Sequence, residues 1–135
     1  MVSLNKRTSM ALFSDPIDHY CQRVRIVLEE KGISSEIIDT DKNNINAEIL
    51  EVSPYSNLPV LVDRDVCLYD SVTLMEYLDE RFPHPPLLPV YPVARANIRL
   101  YIKRIANDWC AIFDRLVDEK LKDAEETKLK KKLKA

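Results

Sequence analysis

Between residues 83 and 92 the chain reads Pro-His-Pro-Pro-Leu-Leu-Pro-Val-Tyr-Pro, with Pro83, Pro85, Pro86, Pro89 and Pro92 taking five of the ten positions. Proline fixes its own φ and has no amide hydrogen to donate, so such a run is neither helix nor central strand; it behaves as a stiff, extended connector. The chain is thereby divided into residues 1–82, a linker over 83–92, and residues 93–135. Of the 135 residues, the first stretch is long enough for one domain with a real core, and the second is too short for another complete one.

The first stretch alternates in pattern. Met10-Ala11-Leu12-Phe13 is an apolar run of strand length closed by Ser14-Asp15-Pro16. From Asp18 to Lys31, apolar residues recur at Cys21, Val24, Val27 and Leu28, and Gly32 stands where a left-handed helix cap is wanted. Ser35 to Asp39 reads as a second strand, and Ala47 to Val52 as a short helix after a polar stretch. Leu58 to Val62 and Val66 to Tyr69 flank Asp63-Arg64-Asp65 as two antiparallel strands joined by a tight turn would. Asp70-Ser71 supplies capping chemistry for a helix carrying Leu74, Met75, Leu78 and Phe82, which Pro83 stops. Strand, helix, strand, helix and then a hairpin and a helix imply an α/β domain, a mixed sheet covered by helices in the thioredoxin-like arrangement. After the linker, Ile98, Tyr101, Ile102, Ile105, Trp109, Ile112, Phe113 and Leu116 mark one long amphipathic helix, with Trp109 assigned to packing. From Asp118 onward only Leu121, Leu129 and Leu133 keep the spacing amid lysines and glutamates, and this stretch is expected to fray.

Several chemistries are disfavoured at once. A formal charge of -2, from 20 basic and 22 acidic residues, provides no sequence-wide basic field for a phosphate backbone, so direct nucleic-acid binding is not expected. Lys128 to Lys134 has acidic neighbours and reads as a solvated helix. Gly32 is the one glycine, too few for a phosphate-cradling loop. Cys21, Cys67 and Cys110 are far apart and odd in number, which suggests neither a disulfide framework nor a thiolate zinc site, and His19 is too isolated to define a metal site. With no apolar segment of export or membrane-spanning length, a soluble protein of the reducing cytoplasm is expected, without a metal or cofactor.

Four positions converge on a known family: Phe13-Ser14 after the first strand, Arg23-Val24-Arg25-Ile26-Val27-Leu28 leading to Lys31-Gly32, Leu58-Pro59 opening a strand, and Asp70-Ser71 opening a helix. Over nearly its whole length the chain resembles the glutathione-transferase superfamily. The resemblance implies the thioredoxin-like N-terminal domain of that fold over 1–82, followed over 93–135 by the start of its all-helical C-terminal domain, here truncated. It also implies a cis Pro59 that turns the backbone of Leu58 toward the cysteinyl part of glutathione, and a candidate vestigial glutathione site at Ser14, Leu58, Pro59, Asp70 and Ser71. More narrowly, Phe13-Ser14-Asp15-Pro16, Arg25 to Gly32, Met75 to Phe82 and above all Pro83 to Arg95 resemble a branch described as binding bacterial RNA polymerase holoenzyme. Its members contact the major sigma factor through a surface pocket containing a Pro-His-Pro segment. This implies a regulator of the starvation and stress response that binds its partner through Pro83, His84 and Pro85, with Tyr91 a neighbour. The resemblance further implies a homodimer through the helices beginning near Ser71 and Val93.

Two readings of the candidate residues stay open. Preorganised prolines lose little entropy on binding, and His84 adds a directional donor and acceptor between apolar rings, but the same residues could merely space two domains. A transferase needs a hydroxyl or thiol that lowers the pKa of the glutathione sulfur. Ser14, Tyr20 and Cys21 lie near the required place, yet Asp18, His19 and Tyr20 stand where active members keep the serine or cysteine, and an acidic Asp18 would raise that pKa. Asp70-Ser71 is either an ordinary N-cap or a holder of the γ-glutamyl carboxylate at a helix N-terminus. The expectation is a binding module without transferase activity, the alternative a glutathione-dependent transferase or glutathione-binding protein.

Overall fold

Residues 9–117 and 123–134 are described in the computed structural model of the chain. The chain separates within the proline run into two units, one ending at Leu87 and the other beginning at Leu88.

The first unit is built on four strands, β1 (Ala11–Ser14), β2 (Glu36–Asp39), β3 (Val60–Asp63) and β4 (Val66–Tyr69), in the order β2-β1-β3-β4. β1 and β2 run parallel, and β3 is antiparallel to both β1 and β4. Alternation along the strands assigns each side chain to a layer. Met10, Leu12 and Leu61 face helices α1 (His19–Glu30) and α3 (Ser71–Arg81), where Val24, Val27, Leu28, Leu74 and Leu78 complete one apolar cluster. Ala11, Phe13, Val60 and Val62 face the other way, against Ile49 of α2 (Ala47–Val52). Sequence expectation and structure agree on every element of this unit within two residues.

Local chemistry sets the helix ends. Asp18, Asn46 and Asp70 cap α1, α2 and α3, each side chain accepting from the amide three residues on. At the end of α1, Gly32 takes φ 63°. Its amide bonds Glu29 O at 3.0 Å and the Ile33 amide bonds Leu28 O at 3.1 Å. These two bonds form a Schellman cap, and Ile33 packs back on the cluster that holds Leu28.

In the second unit Pro92 opens α4 (Pro92–Ile105), and a π-helical turn over Ala106–Cys110 leads into α5 (Ala111–Val117). The single long helix expected from the apolar repeat therefore contains a π turn, in which the Ala111 amide bonds Ala106 O five residues back. Trp109, expected to pack, is 54% exposed, and Leu100, Tyr101, Ile105 and Phe113 are exposed with it. The expectation that the C-terminal stretch frays is corrected over Asp123–Lys134, which forms α6. Leu129 is buried there, lysine and glutamate are good helix formers, and Glu126 pairs with Lys130 one turn later. Leu121 lies outside the described residues.

Candidate functional site

Strand register assembles one candidate site. Phe13 pairs with Val60, and Val60 pairs with Tyr69. In this antiparallel arrangement the end of β1, the start of β3 and the end of β4 lie along one edge of the sheet. Ser14, Leu58-Pro59 and Asp70-Ser71, far apart in sequence, are thus brought to the same edge. The Leu58–Pro59 peptide is cis, as the resemblance implies. The loop before it is pinned by buried Ser53, whose hydroxyl donates to Asn57 O at 3.0 Å and accepts from the Asn57 amide at 3.3 Å.

Two of the groups that could activate a thiol, Ser14 and Cys21, are engaged in holding the fold. Ser14 is fully buried and its hydroxyl accepts from Arg25 Nη1 at 3.0 Å. The same guanidinium donates to Asp15 O at 3.0 Å and Pro16 O at 3.2 Å, tying down the turn after β1. Asp15 fixes that turn from the other side, its carboxylate accepting from the Ile17 and Lys42 amides at 3.0 and 3.1 Å. Burial pushes the Asp15 pKa up, but those amide donors, together with the Lys42 charge, outweigh it and hold the carboxyl below its ordinary value. Cys21 is fully buried, and burial pushes its thiol up to about 12 despite the Asp15 amide on its Sγ; Asp18 adds to the rise. Asp18 itself accepts from the Cys21 amide at 3.0 Å as the cap of α1. The Tyr20 ring lies against His19, with ring centroids 4.0 Å apart, and under Arg23 at 5.1 Å.

At the start of α3, Asp70 takes φ 75° and accepts from both the amide and the hydroxyl of Thr73, at 3.1 and 2.7 Å. Ser71 is buried, and its hydroxyl accepts from Arg23 Nε at 3.0 Å and also from Arg23 Nη2. Arg23 lies off the apolar spacing of Cys21, Val24, Val27 and Leu28, and sequence reasoning missed this bond; no spacing rule links residues 48 apart. Asp70 makes the cap, while the Ser71 hydroxyl meets a guanidinium.

The second candidate is the segment after α3. Pro83, His84 and Pro85 are all exposed, and the His84–Pro85 peptide is cis as well, which sequence reading did not anticipate. The segment is held from below by Lys31, whose buried Nζ donates to Asp79 Oδ1 at 2.5 Å, Phe82 O at 2.7 Å and Pro85 O at 2.6 Å. Asp79 Oδ1 also accepts the Leu87 amide at 2.9 Å. Nothing in the local pattern around Lys31 marks it for this role. Tyr91 belongs to the second unit, where it is exposed at the N-cap of α4. Among the described residues no group of three His, Cys, Asp or Glu side chains could hold a metal ion, and no helix is long and apolar enough to cross a membrane.

Comparison with known proteins places this geometry. The family model for the glutathione S-transferase N-terminal domain matches residues 12–86, more than half of the chain. The chain is 54% identical over 113 residues to a stringent starvation protein A homolog of Haemophilus ducreyi, covering 84% of this chain and 53% of that protein. It is 37% identical over 82 residues to a probable glutathione transferase of Aplysia californica, covering 61% of this chain and 89% of that protein. The structure of rice GST1 in complex with glutathione superposes with a TM-score of 0.82 at 25% identity, covering 95% of this chain and 59% of that one. The chain spans about half the length of the stringent starvation protein A homologs it matches.

Proposed function

This chain belongs to the glutathione S-transferase family, and from that premise we propose that it is a binding module of the family without transferase activity: an RNA polymerase-associated regulator of the starvation and stress response. In this reading Pro83, His84 and Pro85 dock the holoenzyme and its major sigma factor, with Tyr91 a further candidate contact, and the protein acts in the cytoplasm as a homodimer. The observation that carries the reading is the exposure of Pro83-His84-Pro85 on a buried three-acceptor lysine anchor. Preorganised prolyl rings around one imidazole form a surface that gains contacts without first losing conformational entropy.

Two further observations support it. Similarity to stringent starvation protein A homologs covers the proline run. At the other candidate site, the Ser14 hydroxyl and the Cys21 thiol are buried and bonded within the protein, and Asp18 is engaged as the cap of α1. The test is capture of RNA polymerase holoenzyme from a bacterial lysate by the chain and by its Pro83→Ala, His84→Ala, Pro85→Ala triple variant. The wild type should retain the enzyme and the folded variant should not; equal retention rejects the reading.

Glutathione binding is a second reading, favoured by the strand register that brings Ser14, Leu58-Pro59 and the α3 N-terminus to the same sheet edge. A calorimetric titration separates the two. Micromolar affinity for glutathione, with conjugation of a chlorinated aromatic that Ser14→Ala or Tyr20→Phe abolishes, would establish the transferase instead.

A further inference from the structure

A lysine at a helix C-terminus ordinarily reaches into water, where it complements the negative end of the dipole. Lys31, the C-cap of α1, does otherwise: its side chain is fully buried. A buried ammonium persists only where its hydrogens find acceptors, and Lys31 has three, the Asp79 carboxylate and the carbonyls of Phe82 and Pro85. Phe82 and Pro85 bracket Pro83 and His84, so one cation ties both ends of the exposed residues. Asp79 completes the arrangement by taking the Leu87 amide through the same oxygen that meets Lys31. Within Pro83 to Pro86 only His84 has an amide hydrogen, so the segment has almost nothing to give to a ladder and is held through its carbonyls.

From these contacts we propose that Lys31 and Asp79 are positioning residues for partner docking. They keep Pro83-His84-Pro85 in its binding shape before the partner arrives, an inference that rests on the docking role given to that segment above. The partner's matching surface is an apolar slot for prolyl rings with a polar group for the imidazole. Proline restricts φ at its own positions and biases the residue before it, here Phe82 and His84, toward extended backbone, but that region is broad and other contacts select the conformation within it. Apparent affinity scales with the fraction of free protein already in the competent shape. A segment released from Lys31 and competent one time in ten would therefore bind about tenfold more weakly.

The test compares the full chain, the Lys31→Met, Asp79→Leu double variant and the Pro83, His84, Pro85 triple-alanine variant. Each is measured for affinity to purified bacterial RNA polymerase holoenzyme and for hydrogen exchange at the Leu87 amide. Exchanging both ionic partners for apolar side chains avoids leaving a lone buried charge. The double variant is expected to keep its circular dichroism, to exchange Leu87 faster and to bind about tenfold more weakly. Wild-type affinity in the folded double variant, or a loss of affinity with Leu87 exchange unchanged, overturns the inference; if the triple variant meanwhile fails to bind, the docking reading stands without it. Wild-type affinity in the triple variant sinks the docking reading itself. Should the double variant not fold, the wild-type chain decides: Leu87 protected about a hundredfold in the absence of holoenzyme supports the inference, and unprotected exchange refutes it.

Discussion

Replacing Gly32 by alanine isolates a purely conformational cost. Gly32 holds φ 63° at the C′ position of the α1 cap, and a Cβ added there meets nothing within 4 Å. Steric collision with neighbours therefore contributes nothing, and two opposing effects remain. An L-residue in the left-handed region costs about 1–2 kcal/mol. Against this, alanine narrows the unfolded ensemble and returns about 0.4–1 kcal/mol. The midpoints of these ranges leave a net loss of about 0.8 kcal/mol, which in a domain of this size lowers Tm by roughly 3–6 °C. Urea denaturation followed by circular dichroism measures it directly, and Gly32→Asn should lose less, because asparagine tolerates this region better. Gly32→Val should lose more, a β-branched residue being a poor occupant of positive φ. An alanine variant more stable than wild type, or valine no worse than alanine, would show that the cap does not set the strain.

Asp15 predicts an acid limb: its folded pKa lies below 3.8, so its contribution is present above about pH 4 and is lost as pH falls through the folded value. Urea midpoints at pH 5, 4 and 3 should fall more steeply for wild type than for Asp15→Asn, and parallel slopes would remove the assignment. Cys21, buried with its thiol pushed up to about 12, should resist iodoacetamide in the native protein at pH 8 while reacting in urea, as mass spectrometry of the alkylated peptides can read; rapid native labelling would contradict the burial. Leu74→Ala, at a fully buried position between sheet and helices, should cost about 2–5 kcal/mol by chemical denaturation, and a loss well below that would indicate a core that collapses around the gap.

The elements of the first unit were legible because each rests on short-range information: an apolar run of strand length at residues 10–13, helical spacing from Cys21 to Leu28, the polar Asp63-Arg64-Asp65 between two strands, and capping chemistry at Asp70-Ser71. What escaped the sequence was tertiary. Lys31 ends an amphipathic helix like any surface lysine, and only the return of residues 79–87 past the end of α1 gives it acceptors. Arg23 and Ser71 meet because α1 and α3 share a face of the sheet, a fact contained in neither local pattern. The π turn at Ala106–Cys110 interrupts a helix whose apolar repeat runs on undisturbed, so spacing alone carried no sign of it. The C-terminal stretch was read in two ways, as fraying from Asp118 onward and as a solvated helix over Lys128 to Lys134, and the helix that forms over Asp123–Lys134 follows the strong helix propensity of its lysines and glutamates.

The row formed by Phe13, Val60 and Tyr69 makes hairpin length part of the site. Strand side chains alternate with a period of two, so deleting one residue from the turn between Asp63 and Val66 would send every following side chain of β4 to the opposite layer. Tyr69 would exchange its helix α2 neighbours for those of α1 and α3, and the start of α3 would be carried out of line with Ser14. Segment lengths between strands thus act as silent determinants here, and a substitution scan that preserves them would never detect their importance.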